Sequence, residues 1–452
     1  MDFIQEEKED FRKAFNRFRK RDFSGTSGQA LKNSSLEISN NLVVKAGSFL
    51  FTIIVARMLL PELFGLYSLA LGTIILFASF ADLGMGSAAI TYISRKLSQN
   101  KPLDAKKYFK TLLKWKIFLS LFASILIVSL SYYLANSYYN KPIFFALLTG
   151  GLYLPVITLT NFLTSVFKAS NDFKRPLIKE IFLQILKLTI VPLGIFLILK
   201  MSLKVEIMLL IILGTLIFCY LLSFFLLIYL MEKKLAFLKA KNIRMKKSEK
   251  KNLIKFILPL SAIVLSGAFF GYIDMFMLGH YVSSEFISYY SSSFNLIAAA
   301  SVLVGSFAVA LFPLFSRVRG KSLQNLLRKS RNAVFVLSLF AAIFTIFAAY
   351  WVIKIIYGES FLPATLFLQF FSVLIVILPI IAIYNNYYVS QRKTSILAFI
   401  LIGSTILTII LNLIGINYGL RFSEYYAVLG ACIATIISKL VCLLALFAFR
   451  KK

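Results

Sequence analysis

Apolar residues run in blocks of roughly twenty along this chain, the length a helix needs to cross the hydrocarbon core of a bilayer. Such blocks fall at Ser39–Leu60, Leu66–Met85, Leu112–Leu134, Ile143–Phe167, Leu177–Leu199 and Ile207–Leu230. A second set follows at Leu253–Leu278, Tyr289–Phe315, Ala333–Ile355, Leu362–Tyr388, Ile396–Leu413 and Ala427–Phe449. The pattern predicts an all-α polytopic membrane protein with about twelve transmembrane helices. The C-terminal ends of the second and eighth blocks are patterned to continue as amphipathic helices.

Polar punctuation between the blocks carries a second signal. Lysine and arginine fill the N-terminal segment from Lys8 to Lys32, then every second connection: Arg95–Lys110, Lys168–Arg175, Lys233–Lys255, Arg317–Arg331, and the terminal Arg450, Lys451 and Lys452. The alternate connections hold little beyond Arg57, Lys141, Lys200, Lys204, Lys354 and Arg421. Cytoplasmic loops concentrate positive charge, so both termini are expected in the cytoplasm and the number of spans is expected to be even.

Composition agrees. Hydrophobic residues make up 59% and charged residues 15%, with mean hydropathy +0.82. A water-soluble chain is nearer half apolar and a quarter charged. The net charge of +31 would suit nucleic acid in a soluble protein, but here it lies where membrane topology uses it, and no nucleic-acid partner is expected. Cys219, Cys432 and Cys442 sit inside apolar blocks without metal-ligand spacing, and His280 is alone, so neither a disulfide framework nor a metal site is read. The N-terminus lacks the pattern of a cleaved secretory signal. Its Ile4, Phe11, Phe15 and Phe18 recur at helical spacing among basic residues, which fits a helix lying on the inner leaflet or a solvated basic tail.

The basic stretch 231–252 divides the chain near its middle. On either side, ARMLLPELFGLYS at Ala56–Ser68 and GHYVSSEFISYYS at Gly279–Ser291 occupy the joins of helices 1–2 and 7–8. Glu62, Tyr67 and Ser68 match Glu285, Tyr290 and Ser291 at one constant offset, and Ser94-Arg95 matches Ser316-Arg317 at nearly the same one. The expected organisation is a basic cytoplasmic segment (1–38), a six-helix half (39–230), a basic linker (231–252) and a second six-helix half (253–452). Six helices per half is an even number, so the halves are parallel repeats about an axis along the membrane normal.

The stretch ARMLLPELFGLYSLA through FADLGMGSAAITYISRKLS resembles the Wzx-type polysaccharide flippases, which export O-antigen and capsule repeat units. They belong to the multidrug, oligosaccharidyl-lipid and polysaccharide exporter superfamily. The helix count, the two halves and the basic central loop extend the resemblance over essentially the whole chain. It implies a MATE-like transporter fold in the cytoplasmic membrane. It also implies an activity that moves a polyprenyl-pyrophosphate-linked oligosaccharide outward, beside membrane lipids and polysaccharide-assembly proteins as partners. No cofactor is implied, and the coupling ion is left open. Lipid II flippases are further relatives, typically with additional helices.

Ionisable groups inside spans are costly, roughly 2.5–3.5 kcal/mol at a helix centre on insertion scales, and therefore are functional candidates. Helix 1 lines up Asn41, Lys45, Ser48 and Thr52 as one polar stripe. Helix 5 places Glu180, Gln184 and Lys187 on one face. Helix 7 stacks Gly267, Gly271 and Asp274, helix 11 stacks Thr405, Thr408 and Asn412, and Lys439 lies mid-way along helix 12. Lys45, Ser48, Thr52, Arg57, Gln184, Lys187 and Asp274 are the candidate substrate-binding set: cations for a pyrophosphate, hydroxyls and amides for sugar. Each has a structural reading as well. Lys45 can snorkel to the interface, Lys187 can pair with Glu180, Arg57 can anchor at the interface, and Asp274 can serve as counter-ion to Arg57 across the halves. Pro192 and Pro379 predict kinks.

No GxxxxGK[ST] phosphate loop is present, which argues against nucleotide hydrolysis by this chain. A cation-coupled multidrug exporter of the same fold is the alternative, kept open by Asp274 and Glu180. A membrane-embedded polysaccharide-synthesis enzyme fits less well, because the outer connections are short and poor in acids and histidines.

Overall fold

A computed structural model describes residues 25–201, 203–241, 243–310, 320–391 and 393–451. Its first helical stretch, Gly25–Asp82, breaks at Leu60, whose backbone (φ 58, ψ 174) is not helical. Pro61 explains where the break falls: a residue before proline is pushed out of the helical region, and proline suits the first turn of the next helix. The stretch is therefore two helices, α1 (residues 25–59) and α2 (residues 61–82). A second interruption, Leu83 (φ 42) and Gly84 (φ 73), separates α2 from α3 (Met85–Ser98).

The remaining helices are α4 (Pro102–Tyr133), which ends in a π-helical turn at Leu134–Tyr138, α5 (Phe144–Ala169), α6 (Lys174–Leu199) and α7 (Val205–Lys234). After the linker come α8 (Lys247–Tyr281), α9 (Ser284–Ala310), α10 (Gly320–Ile356), α11 (Thr365–Ser390), α12 (Thr394–Leu420) and α13 (Glu424–Ala448). Ten stretches among the described residues are long and apolar enough to span a membrane. Counting the two arms of the first and adding α9 gives the twelve spans that hydropathy predicts.

The amphipathic continuation of the second block is α3, whose buried side carries Met85, Ala88, Ala89 and Ile93 and whose last turn carries Arg95 and Lys96. The continuation of the eighth block, and the amphipathic pattern within residues 1–24, lie outside the described residues. Pro192 and Pro379 lie inside α6 and α11 without interrupting either helix.

One apolar core runs through both halves, from Val55, Leu69 and Ile127 to Phe371, Ile383 and Cys432. A smaller cluster lies under the linker, around Phe109, Phe167, Phe237 and Leu253. The halves meet chiefly through α1, α2, α8 and α9. Helix α8 crosses between them. Its first turns pack on the N-terminal half, with Phe256 edge-on to Tyr92 at 5.2 Å and Glu249 paired to Lys107 at 2.8 Å. Its later turns pack on α12.

Candidate functional site

The two halves are sealed to each other at the end that holds the α1–α2 and α8–α9 turns. Gly65 lies so close to the Ser284 carbonyl that no Cβ fits, and a Cβ on Gly279 would stand 2.5 Å from Leu69 and 2.6 Å from the Tyr139 ring. Polar contacts reinforce that approach. Lys141 Nζ of the first half donates to the Gly279 carbonyl of the second at 2.7 Å, and within the second half Ser283 N donates to Glu424 Oε2 at 2.9 Å, tying the α8–α9 turn to the start of α13. Burial holds the Lys141 ammonium below the ordinary lysine range, with the Glu424 carboxylate opposing. His280 stacks on Tyr138 at 4.7 Å, its Nδ1 against the Tyr138 carbonyl.

Arg57 belongs to the same seal. Its Nε donates to the Ile356 carbonyl at 2.8 Å and its Nη2 to that of Ile355, so a guanidinium from the first half caps the C-terminal end of α10 in the second. Cations favour that end of a helix because its last carbonyls lack partners. Arg57 therefore does not pair with Asp274.

Away from the seal α1 opens up. Val55, Ala56 and Leu59 are buried, whereas Asn41, Leu42, Lys45, Ala46 and Leu50 are exposed. At about 100° per residue, Gly47 and Phe51 share the side turned to α6. Gly47 abuts the Gln184 side chain. Asn41, Lys45, Ser48 and Thr52 form the polar margin of the open side, while Leu42, Ala46 and Leu50 form its apolar part. Thr52 Oγ1 donates back to the Ser48 carbonyl at 2.9 Å. The stripe seen in the sequence is thus an edge between two environments.

On α6 the expected face is present and buried. Lys179 Nζ donates to Glu180 Oε2 at 2.6 Å, Gln184 Nε2 to Glu180 Oε1 at 2.7 Å, and Lys187 Nζ to Gln184 Oε1 at 3.5 Å. Glu180 accepts from Lys179 and Gln184, so Lys187 reaches it only through the amide. Lys187 instead lies 4.6 Å above the Phe51 ring, a cation–π contact in which the ring face takes the place of a carboxylate. Two buried lysines thus stand beside one carboxylate, and only Lys179 pairs with it, so basic groups outnumber acidic ones in the cluster.

The second half has the opposite arrangement. Asp274, buried on α8, accepts from Tyr290 Oη of α9 at 2.7 Å, from Thr435 Oγ1 of α13 at 2.6 Å, and from Asn412 Nδ2 of α12. Three donors from three different helices converge on this one buried carboxyl group. One turn beyond Thr435, Lys439 places its Nζ 2.9 Å from the centre of the Phe270 ring.

Lys116 and Asp82 escaped the sequence reading. Lys116 of α4 is wholly buried and donates to Asp82 Oδ1 at 2.7 Å, while Asp82 remains 43% exposed at the end of α2. The signal was available: a lysine one turn inside an apolar block needs a partner unless it reaches the interface. The candidate residues therefore separate into three places. Gln184 and Lys187 share one buried cluster with Lys45, Ser48 and Thr52 on the helix beside it, Asp274 centres the second half, and Arg57 caps the seal.

A family model described as polysaccharide biosynthesis protein matches residues 30–319. The chain belongs to this family. The match takes in all of the first half, the linker and both α8 and α9. Among solved structures, this family member resembles the lipid II flippase MurJ in its inward closed conformation, at TM-score 0.72 and 17% identity, covering 92% of this chain and 87% of that one. It also resembles an inward-facing MATE-family multidrug resistance transporter of the MOP superfamily, at TM-score 0.64 and 15% identity, covering 97% and 99%. A third likeness is to the eukaryotic MATE transporter AtDTX14, at TM-score 0.63 and 13% identity, covering 93% and 96%. At these identities the likeness establishes the fold, a MATE-like bundle. No curated protein matches the chain.

Proposed function

We propose that this protein is a carrier that moves a lipid-pyrophosphate-linked oligosaccharide repeat unit across the cytoplasmic membrane by alternating access. The observation that carries the reading is the excess of cations in the first half: Lys179 pairs with Glu180, Lys187 has only the Gln184 amide and the Phe51 ring, and Lys45 stands on the exposed polar margin of the neighbouring helix. A diphosphate is the substrate group that such cations favour in a medium of low dielectric. Hydroxyls and amides on the same stripe suit the sugars.

In this reading the two six-helix halves, 39–230 and 253–452, rock about the 231–252 linker. The basic connections and both termini face the cytoplasm, as the charge bias requires. The seal at Gly65 and Arg57 is then on the outside, and the described conformation is inward-facing. The substrate's lipid stays in the bilayer while its head group passes along α1. Polysaccharide-assembly proteins would supply and consume the cargo.

A cation-coupled multidrug exporter of the same fold would draw on Asp274. That carboxylate already accepts from three helices, so it offers a drug little free acceptor capacity. A synthesis enzyme is disfavoured by the short acid-poor connections. The test is transbilayer movement of a polyprenyl-pyrophosphate oligosaccharide in proteoliposomes. Native chain should flip it, and Lys45→Ala and Lys187→Ala, inserted at normal levels, should lose most of that activity. Efflux of a cationic dye without glycan movement would overturn the proposal.

A further inference from the structure

The pairing of α12 with α13 creates a surface feature apart from the clusters described above. Gly415 and Gly430 bring the two backbones together, a Cβ on Gly415 standing only 2.7 Å from the Gly430 carbonyl oxygen. Small residues allow this approach inside a membrane. The larger side chains on either side then splay outward. They leave a groove of about 700 Å³, walled by Ile414, Tyr418, Phe422, Tyr426 and Ile433.

A second groove of about 500 Å³ lies on the other flank of α13, against Ile346 of α10 and Phe370 of α11. Ile433 and Ile437 line both grooves, so they form a ridge with a trough on each side. The second trough meets α13 only from Ile433 to Ile437, about 6 Å, whereas the first follows it from Tyr426 to Ile437, about 16 Å at 1.5 Å per residue. That is close to half the roughly 30 Å hydrocarbon thickness, the depth of one leaflet. One trough of one-leaflet depth, with a shorter one across the ridge, fits the two tails of a diacyl lipid better than a single long isoprenoid.

The head-group end is positive. Arg421 lies in the turn before α13, its guanidinium 5.9 Å from the ring of Tyr418 on the groove wall. Among the described residues no carboxylate forms an ion pair with it. The nearby acid, Glu424, is engaged with the Ser283 amide. Tyr418, Phe422 and Tyr426 surround the mouth as an aromatic belt does at a membrane interface.

We infer that α13 carries a specific site for an anionic diacyl phospholipid, its tails astride the Ile433–Ile437 ridge and its phosphate on Arg421. The orientation proposed above places that lipid in the outer leaflet; the site itself does not depend on what the carrier transports.

Native mass spectrometry of the purified full chain, with phosphatidylglycerol or phosphatidylcholine added, tests it. Phosphatidylglycerol should be retained in preference. Arg421→Ala should lose about tenfold in retention, the size of one charge-assisted hydrogen bond, and Arg421→Lys should keep most of it. Ile433→Trp, which fills both troughs, should abolish retention in a monodisperse protein. Arg421→Ala sits in an exposed turn and decides the matter even if the tryptophan variant does not fold. Equal retention of the two lipids, preference for undecaprenyl phosphate, or a dimer that forms as lipid is lost would each overturn the site. The readout is lipid binding, so it stands or falls separately from flipping.

Discussion

Tyr290 donates its hydroxyl hydrogen to Asp274 at 2.7 Å, joining two turns of the α8–α9 hairpin sixteen residues apart. The offset that aligns Glu62, Tyr67 and Ser68 with Glu285, Tyr290 and Ser291 makes Tyr67 the counterpart of Tyr290. It makes Phe51 the counterpart of Asp274. Tyr67 is buried, and its hydroxyl has no hydrogen-bond partner among the described residues. Where the second half has that carboxylate the first half has a ring, and over the ring sits Lys187. The two halves therefore differ at this position, an aspartate in the second and an aromatic ring under a lysine in the first.

That asymmetry predicts unequal effects from one chemical change. Tyr290→Phe removes a hydrogen bond to a buried carboxylate and should cost about 1.5–3 kcal/mol. Tyr67→Phe removes a hydroxyl with nothing to bind and should be neutral or slightly stabilising. Thermal unfolding of the two variants in one detergent checks the difference, and equal destabilisation would count against the assignment of partners.

A similar contrast applies to Lys116 and Asp82. Removing Asp82 strands a fully buried ammonium, which should cost about 3–5 kcal/mol, whereas Lys116→Met leaves an exposed carboxylate that water can solvate. Asp82→Ala should therefore be much less stable than Lys116→Met. Thermal melting of the purified variants provides the comparison.

Arg57→Ala should loosen the seal by removing both hydrogen bonds to the end of α10. Arg57→Lys should restore only part of it, since an ammonium cannot reproduce the fork of two parallel donors. Spin-label distances between positions 62 and 424 in a cysteine-free background should broaden toward longer values in the alanine variant. An unchanged distribution would show that the seal does not depend on this cap.

Gly65→Ala should act on the same equilibrium through sterics. The methyl group collides with the Ser284 backbone, so the sealed state is penalised and the opposite conformation gains population. The same label pair should report that shift, and its size should exceed that of Gly267→Ala, where nothing lies within 4 Å of the added carbon.

Much of this protein is legible without a structure. Blocks of about twenty apolar residues can hide their backbone polar groups from lipid only as helices, so hydropathy alone yields the twelve spans, and α3 follows from the pattern after the second. The face bearing Glu180, Gln184 and Lys187 follows from helical periodicity, because those residues lie on one helix. Partners between helices do not. Asp274 draws its donors from positions 16, 138 and 161 residues away, and no local spacing reports which helices will converge. In the sequence Arg57 reads as an interfacial anchor or as a partner of Asp274, and the packing of the halves set it on the end of α10. Lys45 and Lys187 look alike in sequence, and only tertiary packing exposed one while burying the other. Sequence determines which segments enter the membrane, since that is a local transfer free energy. The assembly of the helices decides which charges meet, since that depends on contacts between distant parts of the chain.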